Sequence, residues 1–142
     1  MIGSFQAQHF KFLSFDPNTI FQFFVDSDRV YLVKVGSALN QVPQAMHWAT
    51  GPVGLSDLAA QGLPSAAEVQ RLVRADEASY EVTFSELTAC VLKARHWLGR
   101  HGTLTLQSIN RGKLFFRFLD QTQGDRARRS LQAALRNRFT VE

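Results

Sequence analysis

A chain of 142 residues has room for one domain around one core, since a single core serves roughly 100–200 residues. Its 45% hydrophobic, 11% aromatic and 20% charged residues exclude disordered, collagenous and coiled-coil classes. No stretch reaches the ~18 consecutive apolar residues of a membrane-spanning helix, and the first ten residues lack the basic start and apolar run of a secretory leader, so a cytoplasmic protein without a transmembrane segment is expected. Cys90 is the only cysteine and can supply neither a disulfide framework nor a structural zinc cluster.

The net charge of +4 conceals a division. Residues 1–92 carry five Lys or Arg against nine Asp or Glu, whereas residues 93–142 carry eleven against three. Such segregation predicts a surface able to orient toward a polyanion, an acidic partner or the acidic half of a second copy. Arg supplies twelve of the sixteen basic residues, which favours planar, bidentate contact with carboxylate or phosphate.

In chain order, Phe5, Phe10, Phe12 and Phe15 lead into the turn residues Asp16, Pro17 and Asn18. Residues 20–25, rich in Phe and β-branched side chains, predict a strand. Asp26, Ser27 and Asp28 predict a turn, and the alternation of Tyr31, Val33 and Val35 predicts another strand over 30–35. These strands are apolar on both faces, so the sheet should be covered by a second sheet or helix on one side and by a partner or loop on the other. Residues 36–64, punctuated by glycines and prolines around Met46 and Trp48, form a long connection with a helical turn expected at 56–61. Ser65, with Glu68 three residues on, reads as a capping box opening a helix over 65–74.

Residues 80–84 and 87–92 predict two strands joined at Ser85 and Glu86, followed by a polar, basic loop over 93–102. Leu104 and Leu106 alternate with Thr103 and Thr105, and Asn110, Arg111 and Gly112 predict a tight hairpin returning over 114–119. A final helix is expected from a cap at Asp125, with Ala127, Leu131, Ala134 and Leu135 facing inward and Arg126, Arg129 and Arg136 opposite.

About seven strands in meander order followed by one amphipathic helix resemble the pleckstrin-homology-like superfold, in particular its small bacterial members. The likeness rests on residues 79–139, with the helix at 65–74 as a departure. It implies an α+β domain over 1–142, a mostly antiparallel barrel with a loop-and-helix insertion at 36–76. It also implies a non-enzymatic binding module for lipids, peptides or proteins, without a cofactor. Fold by itself does not fix function.

No hydrolase elbow, phosphate-binding glycine loop, zinc-protease helix or dinucleotide fingerprint is present. Cys90, His96 and His101 have zinc-ligand chemistry but no fourth ligand at suitable spacing, and Cys90 lies in an apolar strand where a thiol is inert. Asp26 and Asp28 share a turn that exposes both, unlike a general acid–base pair. The densest chemistry is residues 93–101, where Lys93, Arg95, Arg100 and His101 surround Trp97. This mixture can pair an anion and stack a flat group, and with Arg111 it forms a candidate anion-recognition rim.

The Arg126, Arg129 and Arg136 face offers an interaction surface and supports a second reading, nucleic-acid binding. A third reading is a small enzyme with a pocket near His47, Trp48 and His96. Twelve phenylalanines exceed what one modest barrel needs, so Phe5, Phe21, Phe23, Phe24 and Phe115 are candidates for a homodimer interface. A protein partner or second copy is expected, with an anionic ligand or nucleic acid as alternatives.

Overall fold

A computed structural model of the chain describes residues 1–10, 19–37, 63–97 and 99–142. These residues form strands β1 (Gly3–His9), β2 (Thr19–Val25) and β3 (Arg29–Ser37), helix α1 (Ala66–Ala75), and strands β4 (Tyr80–Thr83), β5 (Leu87–Lys93), β6 (Thr103–Ser108) and β7 (Gly112–Arg117). Helix α2 (Gln121–Leu135) and strand β8 (Phe139–Val141) complete them. The fold is α+β, with one eight-stranded sheet in the order β4-β3-β2-β1-β7-β6-β5-β8. All pairs are antiparallel except β5 with β8. No helix among the described residues is long and apolar enough to cross a membrane.

The sheet consists of two meanders joined at a narrow seam. β1 meets β7 only at Gln8–Arg117 and His9–Phe116, with Phe10 N–H donating to the Phe115 carbonyl just beyond. The link between β4 and β5 is one 3-10 turn, Phe84–Glu86. Thr83 to Leu87 therefore spans no more than about 14 Å of chain. Yet six inter-strand steps separate β4 from β5 in the sheet, which would be roughly 29 Å if flat. The sheet must roll until its ends approach each other. It remains open rather than closing into the expected barrel: β4 and β8 are its two edges and do not pair.

The roll encloses the main core, in which Phe5, Phe23, Leu32, Leu104 and Phe116 are fully buried. α2 lies along the stretch of β1 that β7 leaves unpaired. There the Gln6 N–H donates to Gln123 Oε1 at 2.7 Å, and Ala127, Leu131 and Leu135 enter the core. Gly3 permits this approach, because a Cβ there would collide with the Ser130 hydroxyl. On the outer face, α1 covers β3, and Val69 packs with Phe24, Tyr31, Val33 and Val35 in a second core. Both faces are thus covered by helices of the same chain, where a partner or loop was expected on one of them.

Both meanders and the 103–117 hairpin match the sequence expectation, and the Ser65–Glu68 capping box opens α1. Three expectations are corrected. The last helix starts at Gln121, capped by Asp120 instead of Asp125, and Gly124 sits within it, against the His101 carbonyl and the Phe118 ring. The eighth strand, β8, pairs parallel with β5 and had no signal beyond three residues. Of the five phenylalanines expected at an interface, Phe5, Phe21, Phe23 and Phe24 are at most 4% exposed and belong to the chain's own two cores, while Phe115 is half-buried. The Asp16–Pro17–Asn18 turn and the 56–61 helical turn lie outside the described residues.

Two predictions follow from this packing. Arg136 ends α2 at φ 53° and ψ −118°, a backbone region that costs a non-glycine residue about 1–3 kcal/mol. Glycine adopts it freely but gives up about 0.5–1 kcal/mol of chain entropy on folding. Arg136→Gly should therefore stabilise the protein by about 1 kcal/mol in a denaturant titration.

Burial raises the Cys90 thiol from 9.0 to about 12. It also raises the Tyr80 phenol from 10.0 to about 12, against a smaller opposing pull from Arg111. The fold favours the neutral form of each group. Their contribution should be intact below pH 9 and should fall as pH rises from 9 toward 12, where the unfolded chain ionises first. Thermal melts across that range should show the decline, and Cys90→Ala should lessen it.

Candidate binding surface

The β5–β6 connection is a braced structure. The His96 carbonyl accepts from Gly99 N–H at 3.0 Å, the Gly99 carbonyl from Gly102 N–H at 3.1 Å, and the Gly102 carbonyl from Phe118 N–H at 3.1 Å. The Ala94 N–H is tied to the Glu142 carbonyl at 3.1 Å, and Lys93 pairs with the Glu142 carboxylate at 3.4 Å. Gly102 holds φ 102°, and a Cβ there would lie 2.7 Å from the Lys93 carbonyl. Only glycine fits this position without distortion.

This brace displays the loop side chains. Arg95 and Arg100 are exposed and His101 is half-buried. Trp97 is 82% exposed, the most exposed of the large apolar side chains described. It stacks on His96 with ring centroids 6.0 Å apart and planes at 22°. His96 in turn meets Phe115 of β7 edge-on at 5.6 Å, and Phe115 meets Phe10 at 6.1 Å. The Arg117 guanidinium lies 5.0 Å from the Phe10 ring centre and donates to Gln8 Oε1 at 2.7 Å. A row of four rings thus runs from the loop across the outer face of β7, ending at a cation.

Lys93, Arg95, Trp97, Arg100 and His101 therefore lie together, but Arg111 does not join them. It sits at the β6–β7 turn, the opposite end of a six-residue strand of roughly 20 Å, with its guanidinium 3.9 Å over the Tyr80 ring. Nor do Arg126, Arg129 and Arg136 form one face. Arg126 flanks the buried stripe of α2. Its Nε is buried without a hydrogen-bond partner, and burial, reinforced by neighbouring Arg129 and opposed by Asp120, depresses its pKa. Arg136 has left the helix through its positive φ, whereas Arg129 is exposed. α2 is about 22 Å long, and its first turn adjoins the loop at His101 while Arg136 is at its far end.

Other candidates have structural explanations. A cleft of about 380 Å³ opens between the β2–β3 turn, the Phe84–Glu86 turn and the end of α2. Its cations are already committed. Arg29 pairs with Asp28 at 3.0 Å and Glu81 at 3.1 Å, and Arg138 Nη2 donates to the carbonyls of Phe84 at 2.7 Å and Leu87 at 3.0 Å. The Arg29 hydrogen bond holds the Asp28 carboxyl below its usual range. Asp26 is likewise bonded, to the Ser27 N–H at 2.8 Å. Cys90 is buried, and no cluster of three potential metal ligands occurs among the described residues. His47 and Trp48 lie outside those residues. His96, the third member of that suggested pocket, sits between Trp97 and Phe115.

Sequence reasoning located the loop but missed Phe10, Phe115 and Arg117 as its neighbours. The signal was present in the alternation of β7, whose Lys113, Phe115 and Arg117 share one face while Phe116 points into the core. No protein-family model and no curated protein matches the chain.

Gly102→Ala should cost about 1–3 kcal/mol in a denaturant titration and increase amide exchange over residues 94–101. An unchanged exchange pattern would show that the brace does not depend on this residue.

Proposed function

We propose that the chain is a non-enzymatic binding module of the pleckstrin-homology-like type that engages an anionic partner through residues 93–101. Two antiparallel meanders, followed by a helix beside the strand at their seam, support the fold assignment. Helix α1, the parallel strand β8 and the open edges are its departures.

The observation that carries the functional reading is the contrast between Trp97 and the other rings. The chain buries phenylalanines in two cores yet holds an indole 82% exposed between two exposed arginines on a braced loop. A pre-arranged aromatic and cationic group loses little entropy on meeting a ligand, which is what recognition requires. The guanidinium groups supply fork-shaped donors for carboxylate or phosphate, and the indole a flat surface.

Charge reversal tests this reading. Arg95→Glu combined with Arg100→Glu should weaken binding to heparin at least tenfold at fixed salt, with no change in melting temperature. Arg71→Glu with Arg74→Glu, on the exposed side of α1, makes the same change in net charge and should leave most of the affinity. Equal losses in the two variants would mean that total charge, and no site at the loop, governs binding.

A further inference from the structure

The four-ring row and its cations identify the chemistry of the partner more narrowly. We propose that the outer face of β5, β6 and β7, together with the Trp97 loop, binds single-stranded nucleic acid, an inference that rests on the anionic-partner reading of the same loop. The described helices pack elsewhere: α1 lies against β3 and β4, and α2 against β1 and β2 near the seam and β8 at its end. Strands β5, β6 and β7 contain no acidic residue. Exposed Lys113 stands two residues before Phe115 on the same face, and half-buried Arg117 two residues after it. Arg95 and Arg100 extend the positive charge to the loop.

The exposed ring distinguishes among polyanions. Successive centroids along Trp97, His96, Phe115 and Phe10 are 6.0, 5.6 and 6.1 Å apart. Stacked bases rise by only about 3.4 Å per nucleotide along a strand. These rings pack against one another, edge-on beyond His96, so the open stacking surface is that of Trp97, 82% exposed; a base packed on it must leave its neighbour's stack, which a single strand permits and a duplex resists. Aromatic side chains beside a cationic track are the elements by which proteins hold single strands without reading sequence. An acidic peptide would gain little here, because the row crosses the face of the sheet and not an edge with free backbone donors. Thr105, paired with Phe115 on the adjacent strand, adds a polar group beside the row.

The experiment measures fluorescence anisotropy of a labelled oligothymidylate of about 12 nucleotides, a length within the range one such surface covers. Its duplex, inorganic polyphosphate and polyglutamate serve as competitors. The expected result is that the single strand binds more tightly than the duplex. Trp97→Ala, at a side chain too exposed to unfold the protein, and Phe115→Ala, checked by its melting temperature, should each weaken binding on the order of tenfold.

Unchanged binding in Trp97→Ala, or equal competition by single strand, duplex and polyphosphate, would overturn the stacking proposal and leave the anionic loop standing. Stronger competition by polyglutamate would overturn it in favour of an acidic protein. Failure to bind heparin as well as the oligonucleotide would remove both readings together.

Discussion

The three-residue turn between β4 and β5 is the constraint on which the architecture depends. Those strands lie six steps apart in the sheet, yet their ends are joined by Phe84–Glu86, so the sheet must roll and bring its two ends to the same side of the molecule. The roll creates an interior large enough for the aromatic core, and the narrow seam between β1 and β7 leaves an opening that α2 occupies. Arg138 secures the arrangement at the other end of the helix by bonding two carbonyls, those of Phe84 and Leu87. Chain connectivity, hydrogen bonding and apolar burial therefore specify the same curvature.

Rolling also makes the two outer faces unequal. The face formed by β2 and β3 is apolar and receives α1, which buries Val69 against Phe24 and Tyr31. The face formed by β5, β6 and β7 instead presents Lys113, Phe115 and Arg117 beside the Trp97 loop. Burying several phenylalanines contributes roughly 1.5–3 kcal/mol each, so the inward rings offset ordering of the chain. Trp97 makes no comparable contribution while 82% exposed.

The helix caps, hairpin turn and strand alternation were legible because each depends on neighbours within a few residues. Ser65 and Glu68 close their box locally, and Ser108 accepts from the N–H groups of Asn110 and Arg111 within the hairpin turn. The start of α2 was misplaced because Asp120 and Asp125 are both competent caps. The choice depends on Gly124 packing against His101 and Phe118, and on Gln123 reaching Gln6, contacts made only after folding. The phenylalanine surplus was likewise ambiguous in one dimension, since a core and an interface require the same side chains.

Local chemistry thus determined the elements, the two chain halves of opposite charge and the Trp97 loop itself. Which residues surround that loop was decided by tertiary structure. Phe10 and Phe115 are far apart in sequence, and their rings meet because the β1–β7 seam aligns them. Arg111 is closer to the loop along the chain than Phe115 but is carried to the opposite end of β6. The physical reason is that an extended strand separates its ends while strand pairing joins distant segments, so proximity at a surface follows register rather than residue number.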